Sequence, residues 1–345
     1  MKALIDKLYE TQSLDSREFC RLFTSRTEET DTYAKELACK VRKKNFGNDI
    51  YIRGLIEFTN YCKNDCYYCG IRKSNTKAQR YRLDKEDILD CCRAGYELGF
   101  RTFVLQGGED GYFTEDRMTD IIRSVKEQYP DCAVTLSIGE KDFSTYQAYR
   151  NAGADRYLLR HETADEEHYA TLHPPALSSG YRKECLRNLK KLGFQTGAGF
   201  MVGSPYQTTE SLVKDFLFLK ELNPEMVGIG PFIAHKDTPF GKEKNGTLSD
   251  TLFYLSILRL MLPRALLPAT TALGTIHPRG RELGILAGAN VVMPNLSPVS
   301  VRKKYLLYND KICTGEEAAE GLANLKVRMD SIGCHVVTGR GDYKG

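Results

Sequence analysis

Three cysteines, Cys62, Cys66 and Cys69, stand at the spacing C-x3-C-x2-C in IEFTNYCKNDCYYCGIRK. Thiolates at such spacing are ligands for soft metals. A [4Fe-4S] cluster held by three of them keeps one iron open to a ligand from outside the chain. That open iron can chelate the amino and carboxylate groups of S-adenosylmethionine (SAM) and pass one electron into its sulfonium, releasing a 5′-deoxyadenosyl radical. Zinc would want a second C-x2-C pair or histidines to complete its shell, and no such partner pair is present.

A second feature, LQGGED, occupies residues 105–110. Gly107 and Gly108 let backbone approach a ligand, and Glu109 adds a negative charge nearby. Alone, a Gly-Gly turn at a strand end is equally ordinary turn geometry. Its place one βα unit after the cysteine loop favours a binding role. His161, His235 and His277 are assigned no catalytic role: His161 reads as a backbone hydrogen-bonding group and His235 as a loop stabiliser with Asp237. The RGD triplet at 340–342 carries no meaning here.

These groups need a frame. From about residue 50 the sequence alternates short β-branched runs with longer amphipathic segments such as KEDILDCCRAGYELG and TTESLVKDFLFLKELN, the pattern of repeated βα units. The expected strands are 55–58, 102–106, 133–137, 156–160, 195–202, 226–230, 267–272 and 290–293. Eight parallel strands with intervening helices predict an α/β fold, a full (β/α)8 TIM-type barrel over 49–300, with the cysteine loop on its catalytic face. An open doubly wound sheet is the alternative. Residues 1–48 read as a helical extension against the bottom or side, and 301–345 as a C-terminal segment with a short helix that closes the barrel.

Composition narrows the function classes. The 345 residues are 41% hydrophobic and 27% charged, ample for a large core. The net charge of +4 is interspersed, which argues against a nucleic-acid arm. The longest apolar run is broken by Arg259 and Arg264, so no membrane span is expected, and without a secretory pattern the expected location is cytoplasmic. Eleven cysteines in a reducing compartment point away from disulfides.

With the cysteine loop, LQGGED, VTLSIGE, DRYLLRHETAD, TGAGFMVGSPYQT, MVGIGPFIAHKDTP, PATTALGTI and GANVVMPNLSP in this order, the chain resembles the HydE family of [FeFe]-hydrogenase maturases, which are radical SAM enzymes. Biotin synthase and methylornithine synthase are less similar relatives. The resemblance implies a SAM site formed by Tyr68, Gln106, Gly107, Gly108, Glu109, Ser137, Arg160, Glu162, Arg182, Met201 and Ile229. Glu162 would hold the SAM ribose or amino group, Arg182 its carboxylate, and Met201 and Ile229 the adenine. It also implies a substrate site of Thr135, Arg156, Thr270, Thr271 and Tyr305. Arg156 is informative because a buried arginine needs an acid, from the substrate if the chain supplies none. The alternative is a salt bridge with Asp155 or another loop acid.

The implied substrate is an iron species carrying cysteine, CO and cyanide made by HydG, with product passing through HydF and electrons from a ferredoxin or flavodoxin. Some HydE proteins carry a second cysteine triad near the C-terminus. Here Cys313 is followed by Gly321 and Asn324 where the other two would fall, so one cluster is expected. A radical SAM mutase or sulfur-inserting enzyme acting on an amino acid, and a non-catalytic iron–sulfur carrier, are the competing readings.

Overall fold

The computed structural model describes every residue except 313, 314 and 316, so Cys313 lies outside the described residues. Strands β1 (Asp49–Ile52) and β2 (Gly54–Thr59) run nearly end to end. They are followed by β3 (Thr102–Gly107), β4 (Ala133–Ser137), β5 (Arg156–Leu158), β6 (Gln195–Ala198), β7 (Met201–Val202), β8 (Met226–Val227), β9 (Gly230–Pro231), β10 (Val291–Val292) and β11 (His335–Val337). Six of them form a parallel sheet in the order β2-β3-β4-β5-β6-β8.

The ring closes through isolated parallel bridges: Met226 with Leu266, Pro268 with Val291, and Leu55 with Asn295. Backbone bonds reinforce the seam, from Val227 N–H to the Leu266 carbonyl at 3.2 Å and from Leu55 N–H to the Pro294 carbonyl at 2.9 Å. The architecture is therefore the (β/α)8 barrel. Its seventh position departs from the expected strand over 267–272. Pro268 has no N–H to give to a ladder, and Thr271 already opens a helix, Thr271–Ile276. The expected strands 195–202 and 226–230 are each broken in two. At that break Gly199 has φ +155°, and a Cβ there would stand 2.0 Å from the Gly228 carbonyl, so only glycine lets the two chains cross.

Alternation sorts the side chains. Ile56, Phe58, Phe103, Leu105, Val134, Leu136 and Tyr157 join the main core beneath the helices, while the residues between them face the barrel interior. Helix Lys85–Glu97 shows why the outer layer forms: Asp84 and Asp87 make a capping box, and Ile88, Cys91, Cys92 and Gly95 bury one face. Gly153 and Gly193 follow helix ends with φ +109° and +73°, a positive φ that glycine adopts without a Cβ clash. The N-terminal helices Lys2–Thr11, Ser16–Thr24 and Glu28–Phe46 pack on the barrel's side, against helices Thr209–Leu222 and Leu248–Met261. Among the described residues no helix is long and apolar enough to cross a membrane.

Candidate functional site

The cysteine loop leaves the C-terminal end of β2, the catalytic end of such a barrel. Its irregular backbone is tied from within. The Arg80 guanidinium donates to the carbonyls of Asn60, Ile71 (2.8 Å), Arg72 (2.7 Å) and Asn75 (3.2 Å). Asn60 donates to the carbonyls of Gln79 at 2.8 Å and Lys304 at 2.7 Å. Asp65 accepts from Arg72 Nε at 2.6 Å and from Ser74, and the Arg72 bond holds its carboxyl down at about 2. Arg80 and Asn60 escaped the sequence reading. Their only signal was polar residues in a loop whose carbonyls lack a ladder.

Gly107 and Gly108 serve close approach, but of the cysteine loop itself. A Cβ on Gly108 would meet the Tyr61 carbonyl at 2.2 Å and the Cys62 Cβ at 2.7 Å. The Glu109 carboxylate is buried and engaged: it accepts from Glu140 N–H at 3.0 Å and pairs with Lys63 at 3.2 Å. Gly139 leaves room for it, since a Cβ there would lie 2.1 Å from Glu109 Cγ. Glu109 thus ties three loops of the mouth together.

On the far side of the cysteines, Glu162 has φ +64°, a strained conformation for a side-chain-bearing residue. His161 accepts from Gly199 N–H at 3.2 Å and faces Asp215 at 3.3 Å, holding the segment from behind. The Glu162 carboxylate pairs with Arg160 at 3.2 Å. It lies close enough to Cys66 and Tyr68 to push both upward, after burial as the main cause. Arg182 is buried, ion-paired with Glu140, and donates to the Arg160 carbonyl at 2.9 Å. Glu140 is a partner the sequence did not reveal. Tyr68 meets His173 Nε2 at 3.2 Å; His173 Nδ1 donates to the Tyr169 carbonyl at 3.0 Å, so Nε2 accepts the phenol proton. Met201 packs beside Tyr67 and Tyr68, next to the cysteines. Ile229 is buried in the core cluster that also holds Tyr305.

Inside the barrel, Glu57, Gln106 and Ser137 share one register level at the mouth. Tyr305, buried, lies near Gln106 and Cys69. Glu57 accepts from Lys311 and from Asn295 Nδ2 at 2.9 Å, a buried cluster not anticipated from sequence. It anchors a segment that crosses the mouth, where Gly70 N–H donates to the Leu307 carbonyl and Asn309 N–H to that of Ala234. Below, the Thr135 and Thr270 hydroxyls are buried without partners among the described residues. Thr271 is half-buried at the start of its helix and spends its carbonyl on Thr275.

Arg156 is the clear correction. Its acid comes from the chain: Nη2 donates to Asp342 at 2.8 Å and to the Arg340 carbonyl at 2.6 Å, Nη1 to Thr102 at 3.1 Å and Nε to Gln195 at 3.2 Å. Arg156 opens β5, so these bonds close the barrel's lower end. They enlist Arg340 and Asp342 of the RGD triplet that carried no expected role. A different arginine is short of partners. Arg53, 5% exposed, has only the Met226 sulfur at 2.9 Å, and its Nε and Nη2 have no partner among the described residues. Burial, then the neighbouring Arg156 charge, pull its pKa far down.

The cysteines fit an iron–sulfur cluster. Burial pushes all three thiols up, Cys66 to about 12, so their thiolates need cationic company. They stand on one loop, with Cys69 N–H bonded to the Cys66 carbonyl at 3.4 Å. Yet among the described residues no three His, Cys, Asp or Glu side chains are set to hold a metal ion. Three cysteine thiols from one loop are the donor set that holds a [4Fe-4S] cluster with one iron left open.

Residues 56–219 match the Radical SAM superfamily. The chain is 48% identical over 282 residues to the [FeFe] hydrogenase maturase subunit HydE of Thermotoga maritima, covering 82% of this chain and 80% of that one. It is 30% identical over 330 residues to the 3-methylornithine synthase of Methanosarcina acetivorans, covering 95% and 92%. The crystal structure of methylornithine synthase superposes with a TM-score of 0.84 at 28% identity over 97% of each chain.

Proposed function

The chain belongs to the HydE family of the radical SAM superfamily, and from that premise we propose that it matures [FeFe]-hydrogenase by acting on a small anionic organoiron substrate inside the barrel. A reduced [4Fe-4S] cluster with SAM would supply the site with a 5′-deoxyadenosyl radical to act on that substrate. Cys62, Cys66 and Cys69 hold the cluster, and Arg80, Asn60 and Asp65 hold the cysteines.

The remaining residues bind, orient and exclude water. Glu162, pre-set by His161 and Asp215, and Arg160 hold the polar groups of SAM. Arg182, fixed by Glu140, offers its remaining N–H groups to the SAM carboxylate. Carbonyls of the Gln106–Gly108 turn accept from the SAM amino group, beside Ser137, and Met201 with Tyr68 supplies an apolar wall. The segment tied by Lys311 to Glu57 shuts the mouth and keeps water from the reacting atoms. Arg53 carries the substrate preference for an anion. Arg53 has no carboxylate partner among the described residues and stands beside Arg156, whose own acid is Asp342, and an uncompensated buried charge calls for an anionic ligand. Thr135, Thr270, Thr271 and Tyr305 offer hydroxyls to the same substrate.

The observation that carries this reading is the 48% identity over four-fifths of both chains. It is tested with apo-hydrogenase, HydF and HydG, with and without this protein. Hydrogen evolution that depends on its addition supports maturation, and its absence with a loaded cluster refutes it. One cluster per chain is part of the proposal, so Cys313→Ala is expected to leave the iron content unchanged. The 3-methylornithine synthase likeness spans nearly the whole chain, and formation of 3-methylornithine by the purified protein would favour that second reading.

A further inference from the structure

Beside the cysteine loop, on the surface, lies a cavity of about 570 Å³ lined by Gly70, Lys77, His235, Lys236, Lys303 and Lys304, with Asp237 its one carboxylate. Lys77 takes up Asp237 at 2.8 Å. Lys236, Lys303 and Lys304 make no ion pair among the described residues, and the first two are exposed. Four lysines against one acid differ sharply from the chain as a whole, where 49 basic residues meet 45 acidic ones. The concentration is local and faces solvent.

Its position gives that charge a use. Gly70 follows Cys69 directly, and a Cβ on it would stand 2.1 Å from the Leu306 carbonyl and 2.5 Å from the His235 ring. Its N–H is bonded to the Leu307 carbonyl at 2.9 Å. Cavity wall and cysteine loop are therefore in tight, fixed contact one residue from a cluster ligand. The loop's other flank differs: the cavity of about 500 Å³ beside Tyr169 and His173 is lined by Glu166 and no lysine or arginine.

We propose that the lysine-lined groove beside Cys69 is the docking site of an acidic one-electron carrier protein that reduces the cluster. The proposal rests on the reading of the cysteines given above. In the step it serves, the carrier is oxidised by one electron and the cluster is reduced by one, and no bond is made or broken. Opposed charge steers such encounters and makes them sensitive to salt.

The test compares the cluster-loaded parent with the triple variant Lys236→Glu, Lys303→Glu, Lys304→Glu, using flavodoxin as the probe. Binding of oxidised flavodoxin, measured by calorimetry at low salt, is expected to weaken at least tenfold in the variant, and the parent's affinity to fall as salt rises. With reduced flavodoxin and SAM, 5′-deoxyadenosine formation should fall at least tenfold relative to the same preparation driven by dithionite, a reductant too small to need docking. That ratio cancels any loss of folded protein, and Lys→Gln at the same positions should give an intermediate value. Unchanged binding, or an unchanged ratio, overturns the proposal. So does a variant that keeps its flavodoxin response but loses hydrogenase maturation, which would give the groove to another partner. A parent inactive even with dithionite refutes instead the reading of the cysteines and the proposal with it.

Discussion

The two ends of the barrel use the same residue types to opposite effect. At the lower end, where the strands begin, Arg156 is fully buried and fully partnered, and Asp342 is shared with Arg340 and Gln195. Arg340 reaches on to Asp155 at 2.8 Å. Here charge is closed on itself and fastens the C-terminal tail to β5. At the upper end Thr270 keeps an open hydroxyl, Glu162 sits strained near Cys66, and three half-buried cysteines stand on one loop. Between them, Thr135 and Arg53 face the interior with unmet valences. A buried polar group with all its partners maintains a fold; one held rigidly without them awaits a ligand.

The largest effect that separates the ends is expected at the cysteines. Cys66→Ala should abolish both iron retention and 5′-deoxyadenosine formation, while thermal unfolding of the cluster-free protein hardly shifts. A full iron content in that variant would break the assignment of the upper end. Next comes Arg53→Met. Removing an unpaired buried charge should leave stability unchanged or raise it by roughly 1–4 kcal/mol, yet substrate turnover should fall at least tenfold with SAM cleavage retained. If stability drops instead, Arg53 belongs with the closed network below.

Asp342→Asn is the converse case. It strands Arg156, and because Asp342 is itself about one-third exposed the expected loss is roughly 1–3 kcal/mol, between that of an exposed and a buried pair. Burial alone would raise the Asp342 pKa, but hydrogen bonds from Arg340, Arg156 and Gln195 outweigh it and hold the carboxyl low. With the folded value depressed, the pair's stabilisation is complete above the ordinary carboxylate pKa of about 4 and is lost as pH falls below it. Melting temperature in the parent should therefore decline more steeply below about pH 4 than in Asp342→Asn, with SAM cleavage at neutral pH the same in both.

What could be read from the sequence follows from how local each feature is. The cysteine spacing, the alternation of β2 to β5 and the glycines after helices are set by residues within a turn or a strand of one another. Arg156 was read correctly as a buried arginine, but its acid lies 186 positions away, in a tripeptide with no pattern of its own. Lys311 and Glu57 are 254 apart, and Arg182 and Glu140 are 42. Arg53 was within reach: it interrupts an apolar run, and alternation with Ile52 and Gly54 turns it inward.

The smallest expected effect tests the comparison most finely. Thr270 stands at the N-cap of a helix of six residues without giving its hydroxyl to the cap, although threonine at that position ordinarily does. Its Oγ1 is buried and close to Gly230, where a Cβ would stand 2.9 Å away, so glycine on the neighbouring strand leaves the hydroxyl its space. If that group only maintained the fold, Thr270→Val, which keeps its shape and removes a buried unsatisfied oxygen, would be neutral or stabilising. As a ligand contact it should behave the same way in thermal unfolding but raise the KM for substrate a few-fold, about 1 kcal/mol for one neutral hydrogen bond, with kcat nearly unchanged. Thr102→Val at the lower end, where Oγ1 accepts from Arg156 and donates to the Arg340 carbonyl at 2.9 Å, should show the reverse: lower stability and unaltered KM.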